Sequence, residues 1–395
     1  MPRAESSATS KPRSASFTPA THRRGSNVHD RHALTARIAG LGTCLPDKIL
    51  TNKDFERMVD TSDEWIVSRT GIRERHVVSE GESVATIAVE AGKRAMADAG
   101  VEPEEIELLV LATATVEQPI PATSAIIQPA LGIKNATCFD IAAACSGFLY
   151  AMHVARQFII TGEVKTAMVI GAETLSRYTD YTDRATCILF GDGAGAAVLQ
   201  AAPAGEGILR SALHTDGTYA DFIQMPGGGS KYPPNVKEHI DARLPFIKMR
   251  GNETFKVAVR SITEVCQEVL AGAGVAADKV DLFIPHQANL RIIAAVGERL
   301  GLPPEKTYLN LEHVGNTSSA SIPLAMREAI DRGVLKRGDL VLLAAFGGGL
   351  TWEDRLRLSW PGQPVRGDGE RPRGEVPRGA GRVRPRRRRA RRVPL

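Results

Sequence analysis

Among the five cysteines of this 395-residue chain, Cys44, Cys138, Cys145, Cys187 and Cys266, no paired spacing recurs. That excludes a disulfide framework and a structural zinc site, both of which draw on closely spaced cysteines, and it fits a reducing compartment. Residues 1–35 lack an apolar run and hold only Glu5 and Asp30 as acids. They are therefore neither a secretory signal nor a membrane span. Their Arg- and Ser-rich composition leaves an organellar transit peptide, a disordered extension and a misplaced start codon open. Acids are scarce again at the far end, where residues 362–395 carry twelve arginines against three acids. This tail alone is about +9 in a chain of net charge +5, so the remainder is near −4. The basic balance describes a disordered Arg/Pro/Gly-rich tail and is no evidence that the body binds nucleic acid. Such a tail attracts nucleic acid, acidic proteins or anionic membrane, and a shifted reading frame would produce it equally well.

The body between these tails, about 325 residues, is long enough to bury a large core in two similar lobes. Apolar strand-like runs at Arg37–Thr43, Ile106–Ala114 and Ala167–Ala172 alternate with helical periodicity at Ser83–Ala99 and Ala122–Leu131. Strands apolar on both faces predict a predominantly buried sheet under helical layers, an α/β fold. The stretch Asp140-Ile-Ala-Ala-Ala-Cys145-Ser-Gly-Phe148 ends a strand and delivers a cysteine where a helix begins. Unpaired amides and the macrodipole there predict a lowered thiol pKa and a nucleophilic thiolate, against the alternative of a small buried core residue. In Ile284-Pro-His286-Gln-Ala-Asn289 an apolar run breaks at Pro285 and exposes a histidine, and in His313-Val-Gly-Asn316 a Gly-Asn pair opens another helix. An imidazole and a carboxamide can both donate to a developing oxyanion beside a nucleophile that holds an acyl group. Taken singly, His286 also reads as a satisfied boundary histidine and Asn316 as a helix cap.

An internal repeat joins the three. Ala99-Gly-Val-Glu-Pro-Glu-Glu-Ile106 through Val110 reads like Ala273-Gly-Val-Ala-Ala-Asp-Lys-Val280 through Ile284. Asn316 follows Cys145 by 171 residues, and Gly333 follows Gly162 by the same interval. The expectation is two duplicated halves, 36–208 with the nucleophile and 209–361 with the histidine and asparagine, bringing Cys145 and Asn316 to equivalent places. The Gly-rich Phe190-Gly-Asp-Gly-Ala-Gly-Ala196 runs into Val198-Leu rather than a long helix, so it predicts close backbone packing instead of a phosphate cradle. Trp65 and Arg69, four apart after Asp63, share a helical face on which a planar base can stack while the guanidinium meets phosphate.

Several motifs together carry a resemblance: Asp60-Thr-Ser-Asp-Glu-Trp65-Ile-Val-Ser-Arg69, Ala142-Ala-Ala-Cys145-Ser-Gly-Phe148, Phe190-Gly-Asp-Gly, Pro285-His-Gln-Ala-Asn-Leu-Arg291, Gly315-Asn-Thr-Ser-Ser319 and Phe346-Gly-Gly-Gly-Leu-Thr-Trp352. From about Ala36 to Trp360 the chain resembles β-ketoacyl-[acyl-carrier-protein] synthase III, the initiating condensing enzyme of fatty-acid synthesis in the thiolase-like superfamily. The resemblance implies a layered α-β-α-β-α fold and decarboxylative condensation of an acyl-CoA with malonyl-[acyl-carrier-protein]. It implies Cys145, His286 and Asn316 as catalytic residues and the backbone of Cys145 and Gly348 as oxyanion hole. Thr61, Trp65, Arg69 and Arg184 would take the adenine end of coenzyme A, with Arg184 opposite the tryptophan. Asn252, Phe255, Ala288, Asn289 and Arg291 would line the pantetheine and carrier path, and Ile120 would enter the acyl pocket of the second subunit of a homodimer. Also implied are a cytoplasmic enzyme with no metal, no cofactor beyond the coenzyme A thioester substrate, no membrane and no specific nucleic acid. The alternatives weighed are a starter-unit condensing enzyme or acyltransferase of polyketide synthesis, a papain-like hydrolase, a degradative thiolase, which needs a second cysteine where Phe346-Gly-Gly-Gly stands, and a binding protein acting through the arginine tail.

Overall fold

The computed structural model describes residues 34–203 and 205–356. The expectations for residues 1–33, for Trp360 and for the arginine tail lie outside the described residues. Five strands, β1 (Leu34–Cys44), β2 (Leu108–Ala112), β3 (Thr137–Ile141), β4 (Thr166–Thr174) and β5 (Asp192–Pro203), form one sheet in the order β1-β5-β4-β2-β3. Strand β2 runs parallel to β3 and β4, while β5 runs antiparallel to β4 and β1. The apolar run around Arg37 makes a longer strand than its sequence suggests, because β1 pairs with β5 from Leu34 to Cys44.

A second sheet contains β6 (Arg210–Thr215), β7 (Leu282–Pro285), β8 (Val341–Gly347) and β9 (Thr351–Leu356) in the order β7-β8-β9-β6. Here β7 and β8 are parallel and the other pairs antiparallel. With β7, β8, β9 and β6 as counterparts of β2, β4, β5 and β1, the second sheet repeats the order and directions of the first. A parallel bridge between Phe283 and Thr307 stands where the counterpart of β3 belongs.

Seven helices position the site: α1 (Asp63–Thr70), α2 (Val84–Ala99), α3 (Thr123–Ala130), α4 (Gly147–Ile160), α5 (Gly251–Ala273), α6 (Leu290–Leu300) and α7 (Ser321–Asp331). Side-chain direction alternates along the central strands and decides the layering. Leu108, Val110 and Ala112 of β2 and Val341, Leu343 and Ala345 of β8 join Phe148, Met152, Ile322 and Met326 of α4 and α7 in one core between the sheets. Leu109 and Leu111 turn the other way, onto α2 and α3. Leu342, Ala344 and Phe346 likewise turn onto α5 and α6. Each fully buried Leu, Ile or Val on these strands contributes on the order of 1.5–3 kcal/mol, which explains why both faces are apolar. The Gly-rich run at Phe190 is close packing, as expected: a Cβ on Gly195 would lie 2.5 Å from Pro323 Cγ, and one on Gly191 2.6 Å from the Val314 carbonyl oxygen.

The repeat is less regular at the helix starts than the sequence suggests. Cys145 lies in a 3-10 turn, Ala144–Ser146, before α4 begins at Gly147. Its counterpart turn is Ser318–Ala320, before α7 begins at Ser321. Ala144 and Ser318 both adopt positive φ, 45° and 49°. Cys145 is thus equivalent to Ser319, and Asn316 precedes its own turn instead of opening a helix. Because α4 has 14 residues and α7 has 11, the 171-residue interval holds only at the helix ends.

Candidate active site

The ends of β7 and β8, the turn bearing Cys145, the Asn316 segment ahead of the Ser318–Ala320 turn and the starts of α5 and α6 enclose a cavity of about 550 Å³ that reaches out to α1. Cys145, His286 and Asn316 all line it. The cysteine turn is clamped by β9: the Ser146 hydroxyl donates to the Thr351 carbonyl at 3.1 Å and the Thr351 hydroxyl to that of Ala143 at 3.1 Å. Gly347 closes against the same turn. A Cβ there would sit 2.7 Å from the Cys145 nitrogen and 3.0 Å from that of Ser146, so backbone alone fits. Gly348 instead packs against Ile223, where a Cβ would lie 3.1 Å from the Ile223 carbonyl oxygen.

Cys145 keeps some surface on the cavity wall, yet protein encloses its thiol. Burial pushes that thiol up to about 12; the Ser318 hydroxyl pulls it down and the nearby Glu173 carboxylate raises it further. The expected lowering is therefore corrected. Helix α4 starts two residues beyond the sulfur, and desolvation of an anion outweighs the remaining pull of its amides.

His286 follows β7, which delivers it through the Pro285 break, and its backbone N–H donates to the Ala344 carbonyl at 2.7 Å. Ring Nδ1 lies 2.6 Å from the Ser321 hydroxyl, leaving Nε2 as the nitrogen for a ligand. Burial lowers its pKa to about 3, so the ring is neutral near pH 7. Asn316 is tied on both backbone sides, donating to the Leu189 carbonyl at 3.0 Å and accepting from Gly191 N–H at 2.9 Å. Its side-chain oxygen accepts from Ser318 N–H at 2.9 Å, an assignment that turns the amide nitrogen toward the cavity as a donor.

Trp65 and Arg69 sit on one face of α1, whose N-cap Ser62 accepts from Trp65 N–H, and both line the cavity. The Arg69 guanidinium lies 5.5 Å from the indole centroid and that of Arg184 4.9 Å. Arg184 therefore rests directly on Trp65, and the gap expected between them for a planar base is closed here. Arg184 is held by donation to the Asp60 carbonyl at 2.8 Å from a half-exposed position, so it must swing out to admit a base. Thr61 precedes α1 and is not part of the cavity wall. Asn252, Phe255, Ala288, Asn289 and Arg291 line it. Asn289 caps α6 by accepting from Arg291 N–H and donates to the Arg69 carbonyl at 3.0 Å, joining α6 to α1. The Arg291 guanidinium stands 5.7 Å from the Phe255 ring. Ile120 lies away from this cavity and is 86% exposed, unusual for so apolar a side chain.

Reading the sequence alone missed Ser318, Ser321 and Glu173. The one signal for Glu173 was an acid closing the apolar strand Ala167–Ala172.

Residues 139–217 match the family model "3-Oxoacyl-[acyl-carrier-protein (ACP)] synthase III", and residues 270–355 match that of its C-terminal part. Beta-ketoacyl-[acyl-carrier-protein] synthase III of Caldanaerobacter subterraneus subsp. tengcongensis is 48% identical over 327 residues, 83% of this chain and 98% of that protein. The crystal structure of 3-oxoacyl-[acyl-carrier-protein] synthase III from Aquifex aeolicus is similar at TM-score 0.75 and 47% identity, covering 81% of this chain and 99% of that one. A priming β-ketosynthase of the R1128 polyketide pathway is similar at TM-score 0.76 with 34% identity, covering 86% of this chain and 100% of that one.

Proposed function

The chain belongs to the β-ketoacyl-[acyl-carrier-protein] synthase III family of thiolase-like acyltransferases, and from that premise we propose that Cys145, His286 and Asn316 carry its condensation. The reaction is the initiating condensation of fatty-acid biosynthesis. In the proposed course, the Cys145 thiolate attacks the carbonyl carbon of an acyl-CoA and the bond to the coenzyme sulfur breaks. The acyl group remains on Cys145 while backbone N–H groups of Cys145 and the Gly348 turn hold the oxyanion. Malonyl-[acyl-carrier-protein] then loses carbon dioxide, and negative charge develops on its thioester oxygen. His286 Nε2 and the Asn316 amide donate to that oxygen. The carbanion attacks the acyl carbon, expels the Cys145 thiolate and leaves a β-ketoacyl thioester on the carrier.

One observation carries this reading: a cysteine, a neutral imidazole and an amide with its oxygen already occupied face one cavity. Trp65, Arg69 and the displaced Arg184, with Thr61 nearby, would hold the coenzyme's adenine end. Asn252, Phe255, Ala288, Asn289 and Arg291 would line the pantetheine path. Dimerisation completes the proposal, because the exposure of Ile120 suits a side chain covered by a second copy. The halves 36–208 and 209–361 are read as the duplicated units, supported by the matching strand orders. The five free cysteines suit a reducing, cytoplasmic setting; among the described residues no helix is long and apolar enough to cross a membrane. The experiment is to offer a panel of acyl-CoAs and weigh the intact protein: acyl adducts on Cys145 are expected, and an adduct mapped to Cys187 or labelling retained by Cys145→Ser refutes the assignment.

A further inference from the structure

Arg75 lies in the short strand Glu74–His76, which pairs antiparallel with Ile49–Thr51, and its side chain is fully buried. Arginines are almost never enclosed in this way, because taking a guanidinium out of water is costly unless its donors are satisfied. Here the acceptors are neutral. Nε donates to the Ile188 carbonyl at 2.9 Å, Nη2 donates to the same oxygen, and Nη1 donates to Asn52 Oδ1 at 2.6 Å. The Phe55 ring lies against the guanidinium, with its centroid 4.7 Å from the central carbon. Asn52 passes the hold on to α1, donating to Asp63 Oδ1 at 2.8 Å and to the Ile72 carbonyl at 2.9 Å. Burial lowers Arg75 only to about 10, so the group is still a cation at neutral pH.

The oxygen that Arg75 grips opens the segment on which Asn316 is built. Ile188, Leu189 and Phe190 line the cavity, and Phe190 forms a parallel bridge with Asn316. Asn316 N–H donates to the Leu189 carbonyl at 3.0 Å, one residue beyond the gripped oxygen, and Gly191 N–H closes the bridge onto the Asn316 carbonyl at 2.9 Å. The aliphatic stem of Arg75 touches both sides of this bridge. A Cβ on Gly191 would lie 3.5 Å from Arg75 Cβ, and one on Gly315 would lie 2.9 Å from Arg75 Cγ. Gly315 also has φ 74°, so a residue without a side chain is required there twice over. The neighbouring Arg73 ties the same strand to the stretch ahead of Gly315, its N–H donating to the Glu312 carbonyl at 2.7 Å.

We propose that Arg75 is the positioning residue for Asn316: by clamping the Ile188 carbonyl and bearing on Gly315 it fixes where the Asn316 amide points. Arg75 is not part of the cavity wall and acts only through the bridge. Packing alone does not call for a cation, since a methionine would fill much of the same space without the desolvation cost. What the guanidinium adds is a rigid planar fork, two arms on Ile188 and one on Asn52, which a lysine ammonium on its flexible stem does not reproduce. The amide of Asn316 has to meet an oxygen whose charge develops during decarboxylation, so its placement bears on that half-reaction and leaves acyl transfer, which uses backbone donors, largely aside.

The proposal rests on Asn316 as a donor in the proposed course. Its test measures carbon dioxide release from malonyl-[acyl-carrier-protein] and Cys145 acylation at saturating acyl-CoA, in the full chain, for Arg75→Lys, Asn316→Ala and the double variant. Arg75→Lys should lose about 100-fold in decarboxylation, the effect of a misplacement of about 1 Å, with acylation little changed. In the Asn316→Ala background the same substitution should cost no more than about a further threefold, whereas independent sites would multiply their losses. Multiplied losses, or equal losses in both half-reactions, would mean a merely structural role and overturn the proposal. Should Arg75→Lys fail to fold, Asn52→Ala, which frees one arm of the fork and keeps the guanidinium, decides by the same criteria with a smaller loss. A crystal structure of whichever variant folds separates this proposal from the reading it rests on. If Asn316 is displaced there while Asn316→Ala decarboxylates normally, the proposed function fails and the positioning stands; if Asn316 is unmoved, the positioning is overturned.

Discussion

Removing the Asn316 side chain should separate the two half-reactions. Asn316 Oδ1 accepts from the buried Ser318 N–H and its amide nitrogen faces the cavity, so Asn316→Ala removes two different things. Stranding the Ser318 N–H costs about 1–3 kcal/mol of stability, read as a lowered unfolding midpoint. Losing the donor to the malonyl thioester oxygen costs about 100- to 1000-fold in rate, or about 2.7–4 kcal/mol of barrier. Acyl transfer to Cys145 uses backbone donors in the proposed course and should survive in large part. The assay follows acyl-enzyme mass and carbon dioxide release in parallel, with Cys145→Ala as a reference that cannot be acylated yet still decarboxylates the malonyl thioester. If Asn316→Ala decarboxylates at the normal rate but fails to acylate, the roles argued here are wrong.

Trp65→Ala removes the surface now covered by Arg184 and should weaken acyl-CoA use by about 1–3 kcal/mol while sparing carrier-bound decarboxylation; equal losses in both would instead indicate misfolding. Gly347→Ala places a Cβ 2.7 Å from the Cys145 nitrogen, backbone against backbone, and should abolish self-acylation, an outcome contradicted by a normal intact-mass adduct. Ile120→Phe should narrow the second subunit's pocket and shift preference toward acetyl over bulkier donors; an unchanged ranking of acyl-CoAs, or a monomer by sedimentation, would place Ile120 elsewhere.

What the sequence determined by itself was whatever resides in contiguous pattern. Continuous apolar runs such as Leu108–Ala112 can be satisfied only with both faces covered, so a helix-sandwiched sheet was legible without coordinates. The boundary positions of Cys145, His286 and Asn316, flanked by small residues, Pro285 and Gly315, marked the site for the same local reason. Protonation was not legible, because it depends on what desolvates a group and what charge lies across the fold. The thiol expected to be acidic is raised by enclosure and by Glu173, 28 residues later in sequence, and that carboxylate in turn accepts from Ser318, 145 residues further along the chain. The equal 171-residue intervals concealed a helix three residues shorter, which moves Asn316 ahead of its turn and seats Ser319 opposite Cys145. Similarly, the stack of Arg184 on Trp65 joins segments far apart in the chain, and nothing in either motif says whether the space between them is open. Distances between elements, and the dielectric they create, exist only once the two sheets have closed on α4 and α7.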